Sequence, residues 1–252
     1  MKYFKKDKLQ VIISESREEM GRVAGQDAAA MLKVLLQEKD ELNVMFAAAP
    51  SQNDVLAELM SDPDIDWSRI NGFHMDEYIG LDKDAPQGFG NFLRERVFAK
   101  KNFKSVHYID ITATDPEAEA ARYEKLLLEH PMDVCMLGIG ENGHIAFNDP
   151  GEADFNDKHL VKPVKLDDIC RQQQVNDGCF ATIDDVPKYA MSVTIPGLLL
   201  AKAMFCVVPT AHKADAAQKM LTGEISEKCP CTILRCKDGA RLYLDPAAAS
   251  KL

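Results

Sequence analysis

Two rhythms of apolar residues alternate along this chain. Short, largely apolar stretches at residues 9–14, 42–48, 69–74, 105–109, 134–137, 190–195 and 203–208 have the length and composition of buried strands. Between them the apolar residues space out at helical intervals. Met20, Val23, Ala24, Ala28, Met31, Leu32, Leu35 and Leu36 predict a long amphipathic helix opened by Ser16. Pro50 and Ser51 open a second, carrying Val55, Leu56, Leu59 and Met60. Further helices are expected at 91–100, from Asp115-Pro116 to 130, at 166–175, and from a Thr210 cap to 221. Residues 79–90, rich in Gly, Asp and Pro, predict a surface loop, and weaker strand patterns lie at 160–164, 232–235 and 241–244. Strands alternating with helices of this length imply an α/β fold: one doubly wound, largely parallel sheet flanked by helices, in a single domain over 1–252.

Composition narrows the partners. With 46% hydrophobic and 28% charged residues the chain is an ordinary globular one, long enough to bury its own core without disulfides or metal. A net charge of −10 argues against nucleic acid and anionic membranes. No apolar run reaches the roughly 20 residues of a membrane span, and the start of the chain has no signal-peptide core. Seven cysteines, several in strand-like runs, fit buried thiols in a reducing cytoplasm. Cys229, Cys231 and Cys236 match no zinc spacing and read as structural.

The chemistry concentrates after the run Val134–Leu137. Gly138, Gly140 and Gly143 allow a sharp turn whose N–H groups can face a ligand. Glu141, Asn142, His144, Asn148 and Asp149 follow within a few residues, and His144 is the natural proton carrier near neutral pH. In a parallel sheet this turn opens on the same edge as 49–54 and 74–78. Asp76, beside Phe73 and Tyr78, is the best candidate base, although the same residue also fits a turn cap. Lys213, expected in the first turn of a helix, makes electrostatic sense if an anion binds there, and Arg171 offers a second cation.

His74-Met-Asp-Glu-Tyr78, the motif Gly138 to Pro150, Val186-Pro-Lys-Tyr-Ala190 and the Lys213 segment occur in this order in glucosamine-6-phosphate deaminases/isomerases, which the chain resembles from about 9 to 245. The resemblance implies a Rossmann-like domain converting glucosamine 6-phosphate, or a close epimer such as galactosamine 6-phosphate, to the ketose phosphate and ammonia without metal or organic cofactor. It implies Asp76 as the base shuttling a proton between C2 and C1, and His144 as the ring-opening catalyst supported by Asn142 and Asp149. Ser51, Gln52, Glu77, Gly140, Arg171 and Lys213 would contact the substrate, with Lys213 on the phosphate.

The departures are specific. The family usually has Asp at 142 and Glu at 149, and a Gly- and Thr-rich turn where this chain reads Ala49-Pro-Ser-Gln-Asn-Asp54. Its phosphate-binding arginine has no counterpart in Asn176-Asp-Gly-Cys-Phe180, leaving Arg171 as the substitute, and no match to the family's activating site is found. Two other functions stay open on the sequence: a 6-phosphogluconolactonase-like hydrolase and a non-catalytic sugar-phosphate binding protein. The expected partner is a small sugar phosphate; the assembly state is not readable, and a homo-oligomer is compatible with the chain.

Overall fold

A computed structural model describes residues 1–252. Its strands are β1 (Lys2–Lys6), β2 (Leu9–Ile13), β3 (Leu42–Phe46), β4 (Ile70–His74), β5 (Asp76–Tyr78), β6 (Ser105–His107), β7 (Val134–Leu137), β8 (Val161–Lys165), β9 (Tyr189–Val193), β10 (Ala203–Val208) and β11 (Ala240–Leu244). The α-helices are α1 (Arg17–Glu38), α2 (Asn53–Ser61), α3 (Phe89–Leu93), α4 (Pro116–Glu129), α5 (Asp168–Asn176), α6 (Ile195–Leu199) and α7 (Ala214–Thr222).

Eight strands form the main sheet in the order β1-β2-β11-β10-β7-β3-β4-β6. Every neighbouring pair is parallel except β1 with β2. The strands are largely apolar because both faces are covered: Met45, Cys135 and Cys206 pack to one side, and Val44, Phe46, Met136 and Phe205 to the other. The chain builds β3, β4 and β6 outward, then crosses back to lay β7 on the other side of β3. The β3/β7 boundary is therefore the switch point, where ligands of open α/β sheets lodge at the carboxyl ends of the strands.

Local signals placed most elements. Ser16 caps α1 by accepting from the Glu19 N–H, and Asp115 caps α4 by accepting from the Ala118 N–H. Other expectations are corrected. Residues 232–235 lie in a 3₁₀ helix, Pro230–Cys236, not a strand. β11 already has β10 and β2 on its two edges, so no edge is free for another strand there. Thr210 makes no cap bond; it sits at φ +80°, and a 3₁₀ turn, Ala211–Lys213, precedes α7. The 79–90 loop ends earlier than predicted, at α3, and the helix beyond it widens into a π turn over Arg94–Phe98.

Two features were not anticipated. The polar-looking Lys2–Lys6 is an edge strand, turned onto β2 through Asp7 at φ +52°. A second, antiparallel sheet, β5-β9-β8, stands off the main one, and only Met75 separates β4 from β5. No helix is long and apolar enough to cross a membrane.

Candidate active site

The carboxyl ends of β3, β4 and β7 surround an open cavity. Its wall contains Ser51 and Gln52 after β3, Asp76 at the start of β5, and Gly138 and His144 after β7. Asp76 and His144 are the ionisable residues of that wall, so two titratable groups from distant parts of the chain face one volume.

Asp76 is 7% exposed, and burial, aided by the neighbouring Glu77, pushes its carboxyl well above the usual carboxylate range. Asp149 stands behind the imidazole of His144, with Oδ1 2.9 Å from Nδ1, an ion-pair distance whose angles fall outside those of a hydrogen bond. Burial opposes the charge on Asp149, but His144, Asn142 and the Asp167 N–H together keep its carboxyl below the ordinary value. The shorter side chain at 149 therefore still reaches the imidazole.

Asn142 does not touch the ring. Its Oδ1 accepts the His144 backbone N–H at 3.0 Å, and its amide donates to Asp149 Oδ1 at 3.0 Å and Asp167 Oδ2 at 2.8 Å. Asp167 also receives the Cys170 N–H as the cap of α5. An amide suits the place between two carboxylates because it donates to both, whereas an ionised acid at 142 would be a third negative charge in the same pocket. This accounts physically for the Asn at 142.

Part of the glycine turn closes on itself. Gly140 N–H donates to His144 O, Gly143 N–H to Gly140 O, and Glu141 N–H to Gln173 Oε1. Gly140 is thereby corrected from a substrate contact to a spacer: a Cβ there would lie 2.1 Å from His144 Cε1. Gly143 sits at φ +88°, and a Cβ would fall 2.6 Å from Cys229 Sγ.

Two other expected contacts lie elsewhere. Glu77 accepts three backbone N–H groups, from Tyr78, Phe89 and Gly90, and so anchors the start of α3. The Arg171 guanidinium is tied to the carbonyls of Ile183 and Val186 and to Asp168, and it is not part of the cavity wall. From the same helix, Gln173 and Gln174 line the cavity instead, a role the sequence did not signal. Lys213 is 4% exposed with its Nζ unpartnered. Burial lowers its pKa, while Asp177 and Glu141 pull the other way. Lys213 is not part of the cavity wall. In Gln52, Nε2 donates to Val207 O at 3.1 Å, leaving Oε1 buried without a partner.

One set of three donors suits a metal in composition: His144, Asp149 and Cys170, with ligand atoms within 4.8 Å of one another. Burial and the nearby Asp149 and Asp167 push the Cys170 thiol well up, which opposes the deprotonation a metal ligand needs.

A family model described as glucosamine-6-phosphate isomerases/6-phosphogluconolactonase matches residues 15–243. The chain is 38% identical over 196 residues to a glucosamine-6-phosphate deaminase of Streptococcus suis (strain 05ZYH33), covering 77% of this chain and 81% of the relative. It is 35% identical over 229 residues to a glucosamine-6-phosphate deaminase of Streptococcus pyogenes serotype M49 (strain NZ131), covering 90% and 94%. Among solved structures, a monomeric glucosamine-6-phosphate deaminase superposes with a TM-score of 0.86 at 29% identity, over 96% of this chain and 99% of that one. The 6-phosphogluconolactonase of Thermotoga maritima shares the fold, with a TM-score of 0.75 at 19% identity, over 93% and 98%.

Proposed function

This chain belongs to the family of glucosamine-6-phosphate isomerases and 6-phosphogluconolactonases, and we propose that it works as an aldose–ketose isomerase/deaminase. The substrate is glucosamine 6-phosphate or a close epimer such as galactosamine 6-phosphate, and the products are the ketose 6-phosphate and ammonia. The observation that carries this reading is the shared cavity of Asp76 and His144.

In this mechanism His144 moves the proton from the C1 hydroxyl to the ring oxygen as the C1–O5 bond breaks, giving the open aldehyde. Asp149, 2.9 Å away, stabilises the transient imidazolium. Asp76 then takes the C2 proton and returns it to C1, while a proton passes from the amine to O1, leaving a C2 imine beside a C1 hydroxyl. Water adds to that carbon and ammonia departs, so one water is consumed per ammonia released. A carboxyl raised by burial is a stronger base than a solvated one and can hold the proton between the two carbons. Water exclusion by Phe89 and Phe147 on the cavity wall supports that shift.

We assign the phosphate to Lys213 and Ser51. Lys213 is a buried ammonium without a protein partner, a costly state that an incoming anion relieves. Asn142 and Asp149 support His144, and Gln52 offers an acceptor to a substrate donor. Seven unpaired cysteines support a cytoplasmic setting.

The test is to follow ammonia and ketose phosphate from both amino-sugar phosphates, with acid release from 6-phosphogluconolactone in parallel. Turnover of either amino sugar is expected. Acid release alone would move the assignment to a hydrolase, and ligand-induced thermal stabilisation without turnover to a binding protein.

A further inference from the structure

We infer that His74 is a positioning residue whose neutral imidazole locks the backbone of Asp76, so that the carboxyl is presented to the cavity. The inference rests on the reading of Asp76 as the base. His74 ends β4 and is fully buried, outside the cavity wall. Its Nδ1 lies 2.9 Å from the Asp76 carbonyl oxygen, and its Nε2 lies 2.9 Å from the Ile109 amide nitrogen. A carbonyl only accepts and an amide N–H only donates, so the neighbours dictate one tautomer: Nδ1 carries the proton and Nε2 is bare. Both ring nitrogens are thereby occupied, and the ring is neither a substrate ligand nor a proton carrier.

The placement explains why such a device is useful. Here the chain leaves the main sheet and enters the second one across the single residue Met75. The Met75 carbonyl is held by the Val193 N–H at 2.7 Å, but the next carbonyl, that of Asp76, receives the His74 ring. The main chain of His74 is itself bolted: its N–H donates to Tyr123 Oη at 3.1 Å, and the Tyr123 hydroxyl donates to its carbonyl at 2.8 Å. Tyr123 thus fixes His74, His74 fixes the Asp76 peptide, and the carboxyl inherits that position. A displacement of about 1 Å at such a group is enough to lower turnover about 100-fold.

Two substitutions separate the ring's functions. In H74N the side-chain amide stands where Nδ1 stood and keeps the bond to Asp76; in H74Q the amide oxygen reaches toward the Nε2 position and keeps the Ile109 contact alone. H74Q is expected to lower kcat about 10- to 100-fold with KM changed less than about 3-fold. H74N is expected to recover kcat to within about 5-fold of the parent, while thermal unfolding shows it no more stable than H74Q. Nitrogen NMR of the unsubstituted protein adds a measurement independent of folding defects: His74 should show a protonated Nδ1 and a bare Nε2. Activity that tracks melting temperature across the two variants, H74Q with parental kcat, or the opposite tautomer would overturn the inference. D76N is run beside them. If D76N turns over normally, the base assignment fails and takes this inference with it. If D76N is dead while H74Q is unimpaired, only the positioning role falls.

Discussion

Asn142 donates its side-chain amide to Asp149 at 3.0 Å, and Asp149 in turn stands 2.9 Å from the imidazole of His144. The carboxylate behind the histidine is therefore itself oriented by a neutral group that also bridges to Asp167 at 2.8 Å. Removing the charge at 149 and adding one at 142 have different consequences. D149N should leave the fold intact and lower kcat by about 10²- to 10⁴-fold, by analogy with carboxylates that support catalytic histidines. N142D should destabilise the protein by about 1–3 kcal/mol, because a lost donor and a new charge meet two carboxylates. Urea unfolding and steady-state kinetics on both variants check this; an N142D protein as stable as the parent would contradict the bridging role.

His74 makes stability depend on pH with a definite sign. Burial lowers its pKa from 6.5 to about 4 in the folded protein. Between those values the unfolded chain binds a proton that the folded one refuses, so this contribution is complete above about pH 6.5 and is lost as pH falls toward 4. The difference amounts to about 3 kcal/mol. Asp76 acts in the opposite direction, since its raised carboxyl favours the folded state at low pH. Unfolding free energies at pH 7 and 4.5 should fall more steeply for the parent than for H74N; equal slopes would remove His74 as the cause.

Lys213 and Arg171 should give opposite phenotypes despite both being buried cations. Lys213 has no partner for its Nζ, so K213M is expected to raise the melting temperature while raising KM for the sugar phosphate about 10- to 100-fold. Arg171 ties Ile183 and Val186 to α5, so R171M is expected to destabilise by about 2–4 kcal/mol with KM little changed. Melting curves and KM values decide the pair, and a large KM effect confined to R171M would reverse the assignment.

At Gly140 and Gly143 the turn before His144 leaves no room for a side chain. Gly143 combines φ +88° with the Cys229 sulfur 2.6 Å from a Cβ, so G143A should cost about 2–4 kcal/mol and lower kcat by displacing His144. Gly151, at φ +98° with nothing within 4 Å of its Cβ, isolates the backbone component. G151A should cost about 1 kcal/mol and leave kcat within about 2-fold. Equal losses in the two variants would mean that the sulfur contact contributes nothing.

Much of this architecture was written locally. Stretches that are largely apolar because both faces are covered mark β3, β4, β7 and β10; Ser16 and Asp115 mark helix starts; and the glycines flanking Glu141 and Asn142 mark the turn that carries His144. These signals act within a few residues of their own position, so they survive in a bare sequence. The partners of Asn142, Arg171 and His74 do not. Asp167 is 25 residues from Asn142, Ile183 is 12 from Arg171, and Ile109 is 35 from His74, each on a segment whose place depends on how the sheets and helices pack. The second sheet, the Lys2–Lys6 edge strand, and the glutamine wall of Gln173 and Gln174 were equally hidden, since a strand or a cavity face is defined by what lies opposite. Residue type and short spacing determined which groups were available for chemistry; only the tertiary structure decided which of them meet, because a hydrogen-bond partner is a matter of position in space and not along the chain.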